Sequence, residues 1–417
     1  MERGFSAKTI EACSLLLPHR RAGQRYRIDD NPMIPPAPAL LAHLAETATG
    51  STERATGAHP ALYRSEDIAA LETERIFRRD WHCPGLAAEI PQPGDYLTFT
   101  IAGDPVFCIR DKKGQVRTFS NVCRHRMMRL LDGTGCTSRV VCPYHAWTYD
   151  LEGRLIGAGH MQRTEGFDRK AIRLPELRTE LWNGWIYVTL DPDTPSVAES
   201  LAPLHEVVAR YGMEHYVPVL REEHLWETNW KLLTENFMEG YHLPVAHKAT
   251  VGAWFPVEKT AFPDETYEAF TYQTFAKRGN ATYGQAHPDN TALKGEWRHT
   301  SVLPTVFPAH MYVLAPDHLW YLSLRPLGIG QTDVRFGVAI APEVDAMLGY
   351  ADERERWIAD LTDFFAHVNT EDRAVVEGIY AGACSSHAAP GPLSWLEREI
   401  HDFQGYLSRR LGTGGPS

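Results

Sequence analysis

Four residues in two short stretches could hold a metal cofactor: Cys123 and His125 in "VCRHRMM", and Cys142 and His145 in "VCPYHAW". Each stretch offers one thiolate and one imidazole, so two loops together supply two sulfurs and two nitrogens. A single zinc ion accepts such a set, although zinc modules commonly group their thiolates and then their imidazoles. A [2Fe–2S] cluster with both cysteines on one iron and both histidines on the other fits the alternation better, since each loop then contributes one ligand to each iron. Imidazole is neutral where thiolate is anionic. The exchange therefore raises the reduction potential above that of an all-cysteine cluster.

A second set lies in "TNWKLLTENFMEGYHLPVAH". Thr228 or Asn229 can cap a helix running to about Tyr241, with Pro244 forcing its end. Spacings of four and three put Glu235, Glu239 and His242 on one face of that helix, and His247 follows the proline. The pattern is not the H-E-x-x-H of a zinc protease. Two histidines and one carboxylate form the facial triad of a mononuclear Fe(II), with positions left open for O2 and substrate. The carboxylate need not be local.

These residues need elements to hold them. Between Pro93 and Asp191, β-rich runs such as "YLTFTIAG" and "GWIYVTL" alternate with turn signals and predict a small antiparallel domain with the cysteine–histidine pairs on loops. "DPDTPSVAES" reads as its exit linker. Beyond residue 200, "AHMYVLAPDHLWYLSLRPLG" and "TDVRFGVAIAP" alternate with period two, and "DERERWIADLTDFFAHV" is an amphipathic helix. Residues 1 to about 60, rich in Ala, Pro, Arg and Thr, read as an extended arm broken by short helical pieces. A hydrophobic share of 43 % in 417 residues suffices for a large core, and the net charge of −11 argues against nucleic acid or an anionic membrane as partner. Leu15 to Leu17 form a short apolar run cut by Pro18, neither a signal peptide nor a membrane span, so a cytoplasmic location is expected. Seven cysteines spread from Cys13 to Cys384 are no secreted disulfide framework. Cys136 reads as a free thiol and Trp147 as domain core.

"CRHR…CPYHAWTYDLEGRL" resembles the cluster-binding region of the large (α) subunits of Rieske non-haem iron oxygenases, a superfamily of aromatic-ring-hydroxylating dioxygenases and quaternary-ammonium monooxygenases. The similarity continues through most of the chain after residue 60. Respiratory Rieske proteins would add a cysteine to each loop, near Met128 and Tyr144. Two departures stand out: Met127 and Ala146 occupy positions where the family carries glycine, at a cost of about 1 kcal/mol if φ is positive there. The resemblance implies an α+β fold: an N-terminal arm (1–75), a small antiparallel β Rieske domain (76–195), then a catalytic domain of helices and antiparallel sheet (196–417).

It further implies that Cys123, His125, Cys142 and His145 bind the [2Fe–2S] cluster and that His242, His247 and a later acid bind Fe(II). In "NTEDRAVVEGIYAG" that acid matches Asp372, with Glu371 as the alternative, Tyr380 standing where glutamine is common, and Asp363 and Glu377 as helix-surface charges. Glu239 matches the catalytic acid that links His242 to His145 of a neighbouring subunit in a homotrimer. Glu in place of Asp there is a feature of relatives acting on quaternary ammonium compounds. No dinucleotide fingerprint or ferredoxin pattern is present, so electrons are expected from a separate flavin-containing NAD(P)H reductase, directly or through a ferredoxin.

The expected reaction is hydroxylation of a small substrate with O2, the favoured one an N-methyl or quaternary ammonium compound. The region from 240 to 380 is aromatic, including Trp254, Phe255, Tyr283 and Trp320, and such rings attract a methylated ammonium by roughly 0.5–2 kcal/mol per contact. Most of these rings are expected in ordinary sheet core. The alternative is mono- or dioxygenation of an aromatic acid. A pure electron carrier and a zinc-binding interaction module are the rivals from other classes.

Overall fold

The computed structural model of the chain describes residues 34–276, 283–347 and 351–412. The first half is built on strands β1 (His82–Leu86), β2 (Asp95–Ile101), β3 (Asp104–Arg110), β4 (Val116–Ser120), β5 (Thr134–Cys136), β6 (Val140–Val141), β7 (Thr148–Tyr149), β8 (Leu155–Gly157), β9 (Glu176–Trp182) and β10 (Trp185–Thr189). Seven form one antiparallel sheet in the order β1-β10-β9-β4-β3-β2-β5, and β6-β7-β8 form a small second sheet. The β2–β3 hairpin follows from its sequence: Leu97, Phe99 and Ile101 alternate inward, and Ala102-Gly103 turn with φ of 48° and 87°. Positive φ at both central residues matches the right-handed twist of the strands they join.

The second half holds a six-stranded antiparallel sheet, β11-β16-β15-β14-β13-β12, from β11 (Val217–Trp226), β12 (Phe270–Ala276), β13 (Thr300–Val306), β14 (His310–Leu314), β15 (His318–Gly328) and β16 (Gln331–Ile340). Helices Trp230–Phe237, Ala351–Ala383 and Arg398–Leu411 accompany it. The fold is α+β, as the resemblance implies. The amphipathic pattern of 352–368 extends to a helix of 33 residues.

The N-terminal segment packs more closely than an extended arm would. Leu40 and Leu44, one helical turn apart on Ala37–Thr49, are each 2 % exposed within the core that also holds Trp230 and Phe403. Tyr63 donates to both oxygens of Glu235, at 2.9 Å each. Glu72 accepts from Trp230 Nε1 at 2.8 Å and pairs with Lys231 at 2.5 Å. The segment thus provides the polar partners that buried groups of the Trp230–Phe237 helix require. Among the described residues no helix is long and apolar enough to cross a membrane.

Candidate metal centres and the cavity between sheet and helix

The two cysteine–histidine loops, one between β4 and β5 and the other between β6 and β7, are the same turn used twice. The N–H of Met127 donates to Cys123 O at 3.1 Å, and that of Ala146 to Cys142 O at 3.0 Å. Each cysteine N–H donates in turn to a residue five positions on, Met128 O and Trp147 O, at 2.8 Å. Closing both turns requires positive φ at the fourth residue after the cysteine, and Met127 and Ala146 have φ of 58° and 56°. The strain expected for side chains at these two glycine positions is therefore present.

Cys123 and Cys142 are buried, whereas His125 and His145 are exposed, their rings 4.7 Å apart. Trp147, in the domain core as expected, stacks on His125 at 4.7 Å and 10°. Tyr149 OH lies 3.3 Å from Cys123 Sγ and accepts from Arg124 N at 3.0 Å. Burial, and then the bond to Cys123, raise the phenol's pKa. Ligands of one zinc ion, each at 2.0–2.3 Å, must lie within about 4 Å of one another. Among the described residues, only His242, His247 and Asp372 converge three candidate ligand atoms to within 4.8 Å. Among the described residues no disulfide joins the cysteines, and Cys136 and Cys384 are exposed.

The second centre differs from the helix that spacing predicts. Asn229 caps the helix, accepting from Lys231 N, but the helix ends at Phe237 and Glu239 and His242 follow it in a turn. Pro244 does not terminate anything: it stands in the first turn of a new short helix, Leu243–Ala246, where its missing N–H is no loss. The break lies at Gly240, where a Cβ would meet the Phe275 ring at 2.7 Å. Glu235, expected on the His242 face, turns away to Tyr63, and burial, offset in part by that bond, raises its pKa to about 7. Tyr241 is 59 % exposed and Asn236 is buried beside the cavity.

Asp372 Oδ1 lies 3.0 Å from His247 Nε2 and 3.5 Å from His242 Nε2. Two donors about 2.1 Å from one ion and at right angles lie about 3.0 Å apart, so the set fits a facial triad. The outer edge of each imidazole meets its own carboxylate. Glu239 accepts from His242 Nδ1 and from its backbone N–H, the latter at 3.0 Å. Glu371 accepts from His247 Nδ1 at 2.8 Å and from Thr250 Oγ1 at 2.6 Å. Glu371, the alternative ligand, therefore lies on the far side of His247, and Asp372 alone faces both Nε2 atoms. Asp363 is exposed, whereas Glu377 accepts from Glu227 N at 3.1 Å and from Arg373.

Electrostatics agree with a cation site. Burial lowers the pKa of His242, but bonds to Asp372 and Glu239 outweigh it and hold it at about 10. Burial likewise opposes, and Asp372 imposes, a raised pKa at His247. Asp372 is pushed up by burial and, more strongly, down by the two imidazoles. Three carboxylates converge on two imidazoles, an excess of negative charge that a divalent cation neutralises, and carboxylates on the Nδ1 edges fix both tautomers for metal binding.

The triad opens on a cavity whose walls include Trp254, Phe255, Tyr283 and Trp320, expected from the sequence, and Phe237, Phe364 and Phe365, which were not. Phe270, Phe275, Tyr312 and Tyr321 are buried core instead. The signal for the missed pair was available: Val368, Phe365 and Phe364 precede Asp372 by four, seven and eight residues, the spacing of one helical face.

Residues 80–171 match the family model described as "Rieske [2Fe-2S] domain", and residues 206–413 the one described as "Ring hydroxylating alpha subunit (catalytic domain)". A glycine betaine monooxygenase oxygenase subunit of Chromohalobacter salexigens is 37 % identical over 394 residues, covering 85 % of this chain and 87 % of that protein. A carnitine monooxygenase oxygenase subunit of Acinetobacter baumannii is 34 % identical over 189 residues, 45 % of this chain and 51 % of that one. Among solved structures, a quaternary ammonium Rieske monooxygenase in complex with L-carnitine has a TM-score of 0.70 at 23 % identity, covering 89 % of this chain and 98 % of that one. Naphthalene 1,2-dioxygenase from a Rhodococcus species, bound to indole, reaches 0.74 at 21 %, covering 91 % and 99 %. At these identities the structural likeness establishes the fold.

Proposed function

Because the chain belongs to the Rieske non-haem iron oxygenases as an oxygenase (α) subunit, we propose that it hydroxylates an N-methyl group of a small quaternary ammonium compound. It is an oxidoreductase with a Rieske [2Fe–2S] cluster and a mononuclear iron, served by a separate reductase. The observation that carries the substrate reading is the cavity: an aromatic wall of Trp254, Tyr283, Trp320 and Phe364 at a two-histidine, one-carboxylate centre. Such faces attract a methylated ammonium that has no N–H to donate. The glycine betaine and carnitine activities in the relatives' names support it.

In this reading Cys123, His125, Cys142 and His145 hold the cluster, and His242, His247 and Asp372 hold the iron. Ferrous iron bound there supplies reductive O2 activation, with electrons from the cluster. Glu239 and Glu371 hold the two imidazoles by their Nδ1 edges. The apolar walls exclude water, and Asn236 is the uncharged polar side chain beside the centre. One oxygen atom enters the substrate C–H bond; the other leaves as water, with two electrons from NAD(P)H and two protons. The hydroxymethyl ammonium so formed breaks its C–N bond to give tertiary amine, formaldehyde and a proton.

We further propose a cytoplasmic homotrimer with a flavin-containing reductase, acting directly or through a ferredoxin, and division of the chain at 75/76 and 195/196. His145 is exposed, and so open to a neighbouring subunit, which supports the bridging role given to Glu239. Reconstitution with a reductase tests the function. Glycine betaine or carnitine should yield formaldehyde in step with NAD(P)H consumed, and a ring diol or phenol from aromatic acids, with no formaldehyde from any onium compound, overturns the reading.

A further inference from the structure

The ligands of the Rieske centre differ in their exposure. His125 and His145 are exposed, whereas Cys123 and Cys142 are buried. In the reading above, the histidine side passes electrons on toward Glu239 of the next subunit. Electrons must also arrive, and that side is then occupied. Cys142 has a second approach, through the small sheet that leads into its loop. Val140, Tyr149 and Leu155 are partners across β6, β7 and β8, and all three are buried. Side chains alternate along a strand, so the residues flanking Val140 and Leu155 stand on the other face. These are Arg139 and Val141, and Arg154 and Ile156, all four exposed, the two aliphatic ones by 44 % and 43 %. Because β6 and β8 both run antiparallel to β7, the two arginines fall toward one end of this face and Val141 and Ile156 toward the other.

Two more exposed arginines border it. Arg169 donates to Ile156 O at 2.9 Å, and Arg173 is bridged to Arg154. Of the neighbouring acids, Glu152 pairs with Arg154 at 2.5 Å, and Asp150 accepts from the N–H groups of Glu152 and Arg154, at 3.0 and 2.8 Å. The excess is positive. Residues 121–175 contain nine Lys and Arg against five Asp and Glu, a net +4 in a chain of −11, so the rest of the chain carries −15. An apolar strip rimmed by arginines on an otherwise acidic protein, one residue from a cluster ligand, suits a negatively charged partner that exchanges electrons.

We propose that the outer face of β6, β7 and β8 docks the electron donor, an acidic plant-type [2Fe–2S] domain of the separate reductase. Val141 and Ile156 make the dry centre of the contact, and the four arginines meet the donor's carboxylates. One electron passes to the Rieske centre by way of Cys142: the donor cluster is oxidised by one, the Rieske cluster is reduced by one, and no bond is made or broken. The step runs downhill, because imidazole ligation sets the Rieske potential above that of an all-cysteine cluster. The inference rests on the reading that a separate protein supplies the electrons, and it specifies where and by what chemistry that protein binds.

Holoenzyme with its cluster oxidised is mixed anaerobically, in a stopped-flow instrument, with a reduced acidic plant-type ferredoxin, and reduction of the Rieske cluster is followed by its visible absorption. The double variant Arg139→Glu/Arg154→Glu should lower the second-order rate constant roughly 10-fold or more at 0.1 M salt, where a charge is felt over about 10 Å. At 1 M salt, where that reach is about 3 Å, it should come within three-fold of wild type. Arg139→Gln/Arg154→Gln should lose about three-fold at the lower salt. Arg124→Glu/Arg126→Glu makes the same change of net charge in the Cys123 loop and should lose less than three-fold. Dithionite, which needs no docking face, serves as the control for an intact, reducible cluster. An equal or larger loss from the Arg124/Arg126 pair, no loss from the Arg139/Arg154 pair, or a wild-type cluster that dithionite reduces and the ferredoxin does not, overturns the assignment and leaves the oxygenase reading standing. A cluster that neither reductant reduces overturns both.

Discussion

Glu371→Ala tests the division of labour between adjacent acids. Asp372 faces both Nε2 atoms, whereas Glu371 accepts from His247 Nδ1 at 2.8 Å and is itself fixed by Thr250 Oγ1 at 2.6 Å. Loss of a carboxylate behind a ligating histidine typically lowers metal affinity 10–100-fold, or about 1.4–2.7 kcal/mol. The upper end applies here, because the His247 side chain is only 2 % exposed and water cannot readily take over the Nδ1–H. Glu371→Gln keeps an acceptor for that N–H and should lie near the 10-fold end. The assay is anaerobic Fe(II) titration against a chelator, on protein with its cluster loaded and its mononuclear site depleted. The visible spectrum of the cluster serves as the folding control. An affinity within two-fold of wild type for Glu371→Ala, with the spectrum intact, would refute the reasoning.

Three further outcomes follow from named contacts. Tyr149→Phe removes an O–H donor at 3.3 Å from Cys123 Sγ; that bond favours the more negative, reduced cluster, so the potential should fall by roughly 20–65 mV, the one-electron equivalent of a 0.5–1.5 kcal/mol hydrogen bond. Protein-film voltammetry reads it, and an unchanged or higher potential counts against the contact. Met127→Gly and Ala146→Gly relieve φ of 58° and 56° and should each raise the stability of the cluster-loaded protein, by up to about 0.6 kcal/mol after the unfolded-state entropy of glycine is deducted; destabilisation in urea melts would contradict the strain. Buried Glu235 has its pKa raised from 4.5 to about 7, so the folded state holds its proton more tightly than the unfolded chain. Its contribution is present below pH 4.5 and is lost as pH rises through about 7, on the order of 3 kcal/mol. Glu235→Gln should flatten the fall in melting temperature between pH 5.5 and 8, and an identical fall in both proteins would exclude this assignment.

Much of the chemistry was legible in the order of residues because it is local. A cysteine and a histidine within four positions of chain must share a turn, and two such turns in one small β domain can meet at one cluster. The Asn229 cap and the period-two strands of the second sheet are local in the same sense. Tertiary structure decided what depends on distant partners. Between Glu371 and Asp372, covalent neighbours of similar chemistry, the choice came from how the Ala351–Ala383 helix presents one toward the Nε2 atoms and the other toward Thr250. The helix after Asn229 ends at Phe237, and the next carbonyl, Met238 O, accepts from Gln273 Nε2 of a distant strand at 2.9 Å. Glu235 left the expected face because burial demanded a donor and Tyr63, far upstream, supplied it. The place of His318 carries no sequence signal; only packing of β15 against the Ala351–Ala383 helix, its ring 5.1 Å from that of Phe365, brings that imidazole to the wall of the cavity.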